Sequence, residues 1–234
     1  MLKAVLFDFN GVIVNDEPLH EQLIEQLLLA ENLRPKRGEF RQICLGRSDR
    51  ACIKELFESR GRVLTEKALD DLVARKAAAY QQELAKIEAV PSYPGLQDFL
   101  FNVRGGNLKT AIVSGALRSE IDLVLQRLGL QEVFPVIVSG DDLKVSKPEP
   151  DGYLLAVERL NAAFPGLNAA PGQCLAIEDT FAGIEAAKRA QIPVVGVAHT
   201  YPFHMLQRRA NWTVDYLTDL EWDRLRQLYD RAIA

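Results

Sequence analysis

Residues 3–12 read Lys-Ala-Val-Leu-Phe-Asp-Phe-Asn-Gly-Val, and this stretch decides the fold. Lys3–Phe7 is a short apolar run stopped by Asp8 and the Asn10-Gly11 pair, the pattern of a buried strand that runs into a tight turn. The next segments read as helices: Leu19, Leu23, Ile24, Leu27 and Leu28 recur at helical spacing between Glu17 and Asn32, and Asp49–Ser59 and Thr65–Ala89 read as two more. After Val90-Pro91 the pattern changes. Short β-branched runs at Thr110–Val113, Val136–Val138, Cys174–Ile177 and Val194–Val197 alternate with helical stretches at Leu117–Leu128, Gly152–Asn161 and Phe181–Ala190, and a last helix is predicted over Glu221–Ile233. Such alternation predicts parallel strands joined by crossover helices. The fold class is therefore α/β, a doubly wound parallel sheet built from residues 1–14 and 90–234, with an inserted α-helical cap domain over residues 15–89.

The 234 residues are 48% apolar and 26% charged, a balance typical of a globular protein large enough for a full core. A net charge of −4 and a pI near 5.5 give no electrostatic reason to expect nucleic acid or an anionic membrane as partner. No run is long enough to span a bilayer, and no basic start leads into a long apolar stretch. Cys44, Cys52 and Cys174 lack metal-ligand spacing and read as reduced thiols of a cytoplasmic protein. A monomer or weak homodimer is the expected state.

In an open parallel sheet, ligands bind beyond the carboxyl ends of the strands. Strand one ends in Asp8, the second run in Ser114, the third leads on to Lys147, and the fourth ends in Glu178-Asp179. Brought together, they would supply carboxylates, a hydroxyl and an ammonium, an inventory that suits phosphate and a divalent cation. Asp8 would attack phosphorus, Asp179 and Glu178 would join Asp8 in holding Mg²⁺, and Lys147 and Ser114 would hold phosphoryl oxygens. Taken singly, each has a plainer reading: a turn residue at Asp8, a loop at Ser114-Gly115, a solvated lysine before Pro148, a helix cap at Asp179 or Thr180. Only the ordered set overturns those readings.

That set, Asp8-Phe9-Asn10-Gly11-Val12, Ser114-Gly115, Ser146-Lys147-Pro148 and Glu178-Asp179-Thr180 with Ala182-Gly183, resembles the four motifs of the haloacid dehalogenase superfamily along nearly the whole chain. The resemblance is to its β-phosphoglucomutase and phosphoglycolate phosphatase branch, whose helical cap comes after the first motif. It implies Asp8 as nucleophile and a Mg²⁺ site of Asp8, Asp179, Glu178 and the backbone carbonyl of Asn10. It also implies phosphate held by Ser114 and Lys147 beside Gly115 and Ala116, and substrate contacts from His20, Ser48, Arg50 and Lys76 of the cap. The implied activity is Mg²⁺-dependent hydrolysis of a small phosphorylated metabolite such as a phosphosugar, with a phosphosugar mutase as the alternative. Dehalogenase chemistry would leave the Glu178-Asp179 pair without a purpose.

One departure matters. The family places an Asp two residues after the nucleophile to move protons, and here that residue is Asn10, whose amide cannot exchange a proton near neutral pH. Loss of a general acid or base typically costs roughly 10²–10⁴ in rate. Three accounts compete: good leaving groups or a proton borrowed from Asp16 or His20 as the cap closes; a binding or regulatory protein; or deamidation of Asn10 next to Gly11.

Overall fold

In the computed structural model, which describes residues 1–231, six parallel strands form one sheet in the order β3-β2-β1-β4-β5-β6. Along the chain, β1 (Ala4–Phe7) is followed by α1 (Glu17–Ala30), α2 (Asp49–Glu58), α3 (Glu66–Lys86) and α4 (Leu96–Gly105). Then come β2 (Lys109–Val113), α5 (Arg118–Leu128), β3 (Val136–Val138), α6 (Asp151–Ala163), β4 (Cys174–Glu178) and α7 (Phe181–Arg189). The chain continues through β5 (Val194–Val197), α8 (Phe203–Leu206), β6 (Trp212–Val214) and α9 (Trp222–Arg231). The last predicted helix extends to Ile233; residues 232–234 lie outside the described residues. Among the described residues, no helix is long and apolar enough to cross a membrane.

Side chains that alternate along each strand supply both faces of the sheet. Val5 and Phe7 join Ile112, Ile177 and Val195 in a cluster that buries the apolar faces of α4, α5 and α9. Ala4 and Leu6 point the other way, and with Ala111, Ala176 and Val194 they pack against α6 and α7. A third cluster, including Ile24, Leu28, Ile53, Phe57 and Leu72, holds α1, α2 and α3 together. The helix starts are specified locally: Ser48 accepts from Ala51 N–H, Thr65 from Ala68 N–H and Thr180 from Gly183 N–H, and caps of this kind are each worth about 1 kcal/mol.

Two segments connect the helices α1–α3 to the sheet, and they touch. Val14 forms an antiparallel bridge with Ser92, and Asn15 N–H donates to the Pro91 carbonyl at 2.9 Å. Sequence reading passes over α4 and β6. The three-residue β6 lies at the sheet edge, too short for a visible period.

The thiols differ from expectation. Cys44, at the end of a π-helical turn over Phe40–Cys44, is disulfide-bonded to Cys52 in α2, so only Cys174 is a free thiol among the three. The loop between them folds back on itself and brings two cysteines eight residues apart to a Cα–Cα distance of 4.5 Å. Cys174 is buried, and burial pushes its thiol up to about 12.

Candidate active site

The strand order reverses at β1, and the register sets Phe7 opposite Ile112 of β2 and Ile177 of β4. The residues just beyond, Asp8, Ser114 and Glu178-Asp179, therefore emerge at one level, at the crevice where such sheets bind ligands. Lys147 reaches in from the segment between β3 and α6, with Nζ 2.9 Å from Asp8 Oδ1 and 2.7 Å from Glu178 Oε1. Asp8 Oδ1 also accepts from Phe9 N–H at 2.7 Å, so the carboxylate is fixed at the strand end.

Carboxylate oxygens of Asp8, Glu178 and Asp179 lie within 4.8 Å of one another, all three residues buried. Burial and the nearby Asp8 push Glu178 up to about 7, against the pull of Lys147. Burial together with Glu17, Asp8 and Glu178 drives Asp179 well above the usual carboxylate range. Lys147 is held above its ordinary value because Asp8 and Glu178 outweigh its burial. One lysine thus faces three crowded carboxylates, the arrangement that a divalent cation relieves. Asp179 Oδ1 is buried with no hydrogen-bond partner, while its Oδ2 accepts from the Thr200 hydroxyl. Both oxygens of Glu178 are committed: Oε1 to Lys147 and to Tyr153 Oη at 2.7 Å, Oε2 to the Thr180 hydroxyl at 3.3 Å. The open donor set for a hard cation is therefore Asp8 with Asp179 Oδ1, and Glu178 orients Lys147.

Gly11 makes this approach possible. With φ at +79° it occupies the left-handed region, and a Cβ there would stand 1.9 Å from Asp179 Oδ2. Only glycine fits. His199, stacked on Tyr93 at 3.7 Å, holds the same turn through Nδ1 and the Gly11 carbonyl at 2.8 Å.

The helices α1–α3 form the other wall. Ser48 N–H donates to Ser146 Oγ at 2.8 Å, and a Cβ on Gly115 would meet Ser48 N at 2.7 Å. A cavity of about 50 Å³ is left between the walls, lined by Asp8, Asn10, Ser114, Gly115 and Ala116 from one side and His20, Asp49 and Lys76 from the other. At roughly 10–15 Å³ of such volume per water, it is smaller than a sugar phosphate. Substrate entry therefore requires the walls to part, as lids do.

Asn10 sits at the seam. Its Nδ2 donates to Asp16 Oδ1 at 2.9 Å and lies 3.2 Å from His20 Nε2. Asp16 also accepts from Tyr80 Oη at 2.5 Å and lies 3.3 Å from His20 Nε2. Burial would raise the Asp16 pKa, but His20, Asn10 and Tyr80 together hold it below the usual range. For His20, burial and Lys76 pull downward, and Asp16 and Glu120 together outweigh them to leave it raised. Lys76 Nζ is 2.6 Å from His20 Nδ1, 2.7 Å from Asp49 Oδ2 and 3.4 Å from Glu120 Oε1.

Of the predicted residues, Asp8, Asn10, His20, Lys76, Ser114, Gly115 and Ala116 line this cavity, Lys147, Glu178 and Asp179 gather around Asp8 without lining it, and Ser48 and Arg50 turn elsewhere. The Ser48 hydroxyl caps α2, and Arg50 pairs with Glu66 and Asp70 on an outer cleft of about 1,040 Å³. Lys147 and Ser114 also border that cleft. Sequence reasoning misses Glu17, Asp49, Glu120 and Thr200. For Asp49 a signal exists: it occupies the first position of a helix beginning beside Gly46, one residue before Arg50, where a step of about 100° separates the two directions. Thr200, three residues past β5, has none.

Residues 2–191 match the family of haloacid dehalogenase-like hydrolases. A phosphorylated carbohydrates phosphatase of Thermotoga maritima is 29% identical over 201 residues, covering 85% of this chain and 87% of its own. The β-phosphoglucomutase of Bacillus subtilis is 27% identical, covering 96% of this chain and 97% of its own. Among solved structures, a β-phosphoglucomutase from Clostridium difficile superposes with a TM-score of 0.85 over 100% of this chain and 99% of its own, at 24% identity.

Proposed function

The chain belongs to the haloacid dehalogenase-like hydrolase family, and we propose that it is a Mg²⁺-dependent phosphatase of a small phosphorylated metabolite such as a phosphosugar. The observation that carries the reading is the placement of Asp8 and Asp179 beyond adjacent strand ends. There Lys147 touches the nucleophile at 2.9 Å and a buried Asp179 oxygen stands without a partner. The relatives named for phosphorylated carbohydrates and for phosphoglucomutase chemistry support a phosphosugar as substrate.

Asp8 attacks phosphorus and forms an acyl phosphate as the bond to the substrate oxygen breaks; water then attacks phosphorus and returns Asp8. Asp8 and Asp179 would hold Mg²⁺, which would supply positive charge against the phosphoryl oxygens. Lys147 holds one of those oxygens, and the Ser114 hydroxyl, which accepts from Ala116 N–H at 3.0 Å, is oriented to hold another. Helices α1–α3 exclude bulk water once closed.

Asn10 cannot protonate the leaving oxygen. His20 is the residue we place in that step. With the Lys76 ammonium against Nδ1, the ring carries its proton on Nε2, 3.2 Å from the Asn10 amide. Nε2–H gives this proton to the leaving oxygen while Lys76 supplies one to Nδ1, and the water of the second half-reaction restores both. Asp16, already accepting from Tyr80 and Asn10, orients the ring.

The test is phosphate release with Mg²⁺ from an activated aryl phosphate and from sugar phosphates, comparing the native protein with Asp8→Asn, Asn10→Asp and His20→Gln. Turnover lost in Asp8→Asn is expected, and His20→Gln should slow sugar phosphates far more than the aryl phosphate, whose leaving group needs no proton. Silence in the native protein with activity in Asn10→Asp would replace catalysis with a binding or regulatory role.

A further inference from the structure

The segment His199–Tyr201, just past β5, touches both halves of the molecule. On the sheet side, His199 holds the Gly11 turn, Tyr201 stacks on Phe181 at 3.9 Å, and the Thr200 hydroxyl meets Asp179 Oδ2. Phe181 opens α7 two residues after Asp179, so the stack and the hydroxyl fix the same stretch of chain. On the helical side, that hydroxyl also reaches Glu17 Oε2 of α1 at 2.8 Å. Arg41, from the π-helical turn Phe40–Cys44, donates to the Thr200 carbonyl and lies 4.9 Å from the centre of the Tyr201 ring. Two side chains carried by the helical insertion thus end on one residue of the sheet domain.

A hydroxyl has one proton to donate, and Thr200 faces two carboxylates with it. Oxygens that meet at a common donor stand no more than about 6 Å apart, and like charges so close inside a protein repel strongly. Asp179 keeps a second oxygen, Oδ1, buried and unpartnered. From this arrangement we infer that Thr200 is a positioning residue of the Mg²⁺ site. It turns Asp179 so that Oδ1 is left for the cation, and through Glu17 it makes Mg²⁺ binding and closure of helices α1–α3 favour each other. The inference rests on the Mg²⁺-dependent reading of the site and deepens it. Positive charge on Asp179 would offset the repulsion from Glu17 and leave it the hydroxyl proton, so the contact between α1 and the sheet domain would tighten. By reciprocity, a protein that closes more readily with Mg²⁺ also holds Mg²⁺ more tightly when closed. With the helices parted, Glu17 withdraws and the cation site loses a neighbouring negative charge.

The experiment measures the Mg²⁺ Kd by calorimetry, and backbone hydrogen exchange at the start of α1 and in the Phe40–Cys44 turn with and without Mg²⁺. It compares the full native chain with Asp179→Asn, Thr200→Val, Thr200→Ser and Glu17→Gln. In the native protein Mg²⁺ is expected to slow exchange in both segments, and Asp179→Asn to abolish binding. Thr200→Val keeps the shape without the hydroxyl; it should weaken Mg²⁺ binding by about tenfold or more and lose the slowing. Thr200→Ser, which keeps the hydroxyl, should restore both. Glu17→Gln should weaken binding by a smaller factor and lose the slowing as well. Native affinity in Thr200→Val overturns the inference, as does slowing that persists in Glu17→Gln, or a Thr200→Ser protein that binds no better than Thr200→Val. Glu17 is only half-buried at the start of its helix, so Glu17→Gln decides the coupling even where Thr200→Val fails to fold. Those outcomes leave the Mg²⁺ site itself standing, because Asp179→Asn reads it separately. A native protein that binds no Mg²⁺, or binds it equally in Asp179→Asn, removes the site and the inference with it.

Discussion

The sheet and the helices α1–α3 each hold a buried lysine wedged between two carboxylates, and the two lysines serve different ends. Lys147 lies within the sheet domain, between Asp8 and Glu178, with Asp179 adding a third carboxylate beside it. Lys76 belongs to α3, and its partners come from three other helices: His20 of α1, Asp49 of α2 and Glu120 of α5. The first lysine completes the proposed reaction centre, whose partners all belong to one layer. The second staples the helical insertion to the sheet domain, since Glu120 belongs to the latter. Similar inventories thus yield a group proposed to hold phosphate in one place and, in the other, a clasp that also backs the His20 ring, and what separates them is whether the partners share a domain.

The comparison breaks most visibly at Lys147. Lys147→Met should lower kcat/KM toward the activated aryl phosphate by roughly 10²–10³, the usual effect of losing a donor to developing charge. It should also destabilise the fold by about 3–5 kcal/mol, because Asp8 and Glu178 lose their buried counter-charge. Denaturant titration beside steady-state kinetics reads both, and normal aryl phosphate turnover would strip Lys147 of its catalytic place. Lys76→Met should destabilise by a similar ~3–5 kcal/mol yet alter aryl phosphate kcat/KM less than about tenfold. An equal collapse in both variants toward this substrate, whose leaving group needs no proton, would erase the distinction between the lysine that holds phosphate and the one that holds the helices.

Smaller changes sharpen it. Tyr80→Phe removes the donor to Asp16 Oδ2, leaving the buried carboxylate to Asn10 and His20 alone, and should cost about 1–2 kcal/mol; a neutral result in urea titration would mean that water takes the hydroxyl's place. The smallest effect belongs to a half-exposed pair on the core, Asp142–Arg159 at 2.6 Å. Hydrogen bonding from Arg159 depresses the Asp142 pKa to about 2. Its contribution is therefore present above the ordinary carboxylate pKa and lost as pH falls toward 2. Asp142→Asn should cost only about 0.2–1 kcal/mol at pH 7, solvent screening included. That difference from the native protein should fade on acidification; a gap that widened at low pH would reverse the sign of the argument.

The same division explains how much can be read from the sequence. Asp8, Ser114 and Asp179 are legible because each comes directly after an apolar run that the sheet fixes in register, so order along the chain becomes proximity in space. Val136–Val138 and Val194–Val197 are found to the residue for the same reason. The helical wall offers no such register. His20 and Lys76 come from resemblance, and Asp49 is passed over for Arg50, although α2 directs the former inward and the latter outward. Glu120 and Thr200 acquire their roles from tertiary approach, and the Cys44–Cys52 bond comes from a loop folding back, neither of which leaves a periodic trace.

The bridge between Val14 and Ser92 carries one more consequence. The chain leaves the sheet domain and re-enters it at neighbouring points tied to each other, while strand pairing from Ala4 to Lys109 and Cys174 involves no residue between those points. The insertion is therefore a cassette on a single pivot. Its sequence can be exchanged, lengthened or rewritten while the strand ends that carry Asp8, Ser114 and Asp179 keep their register.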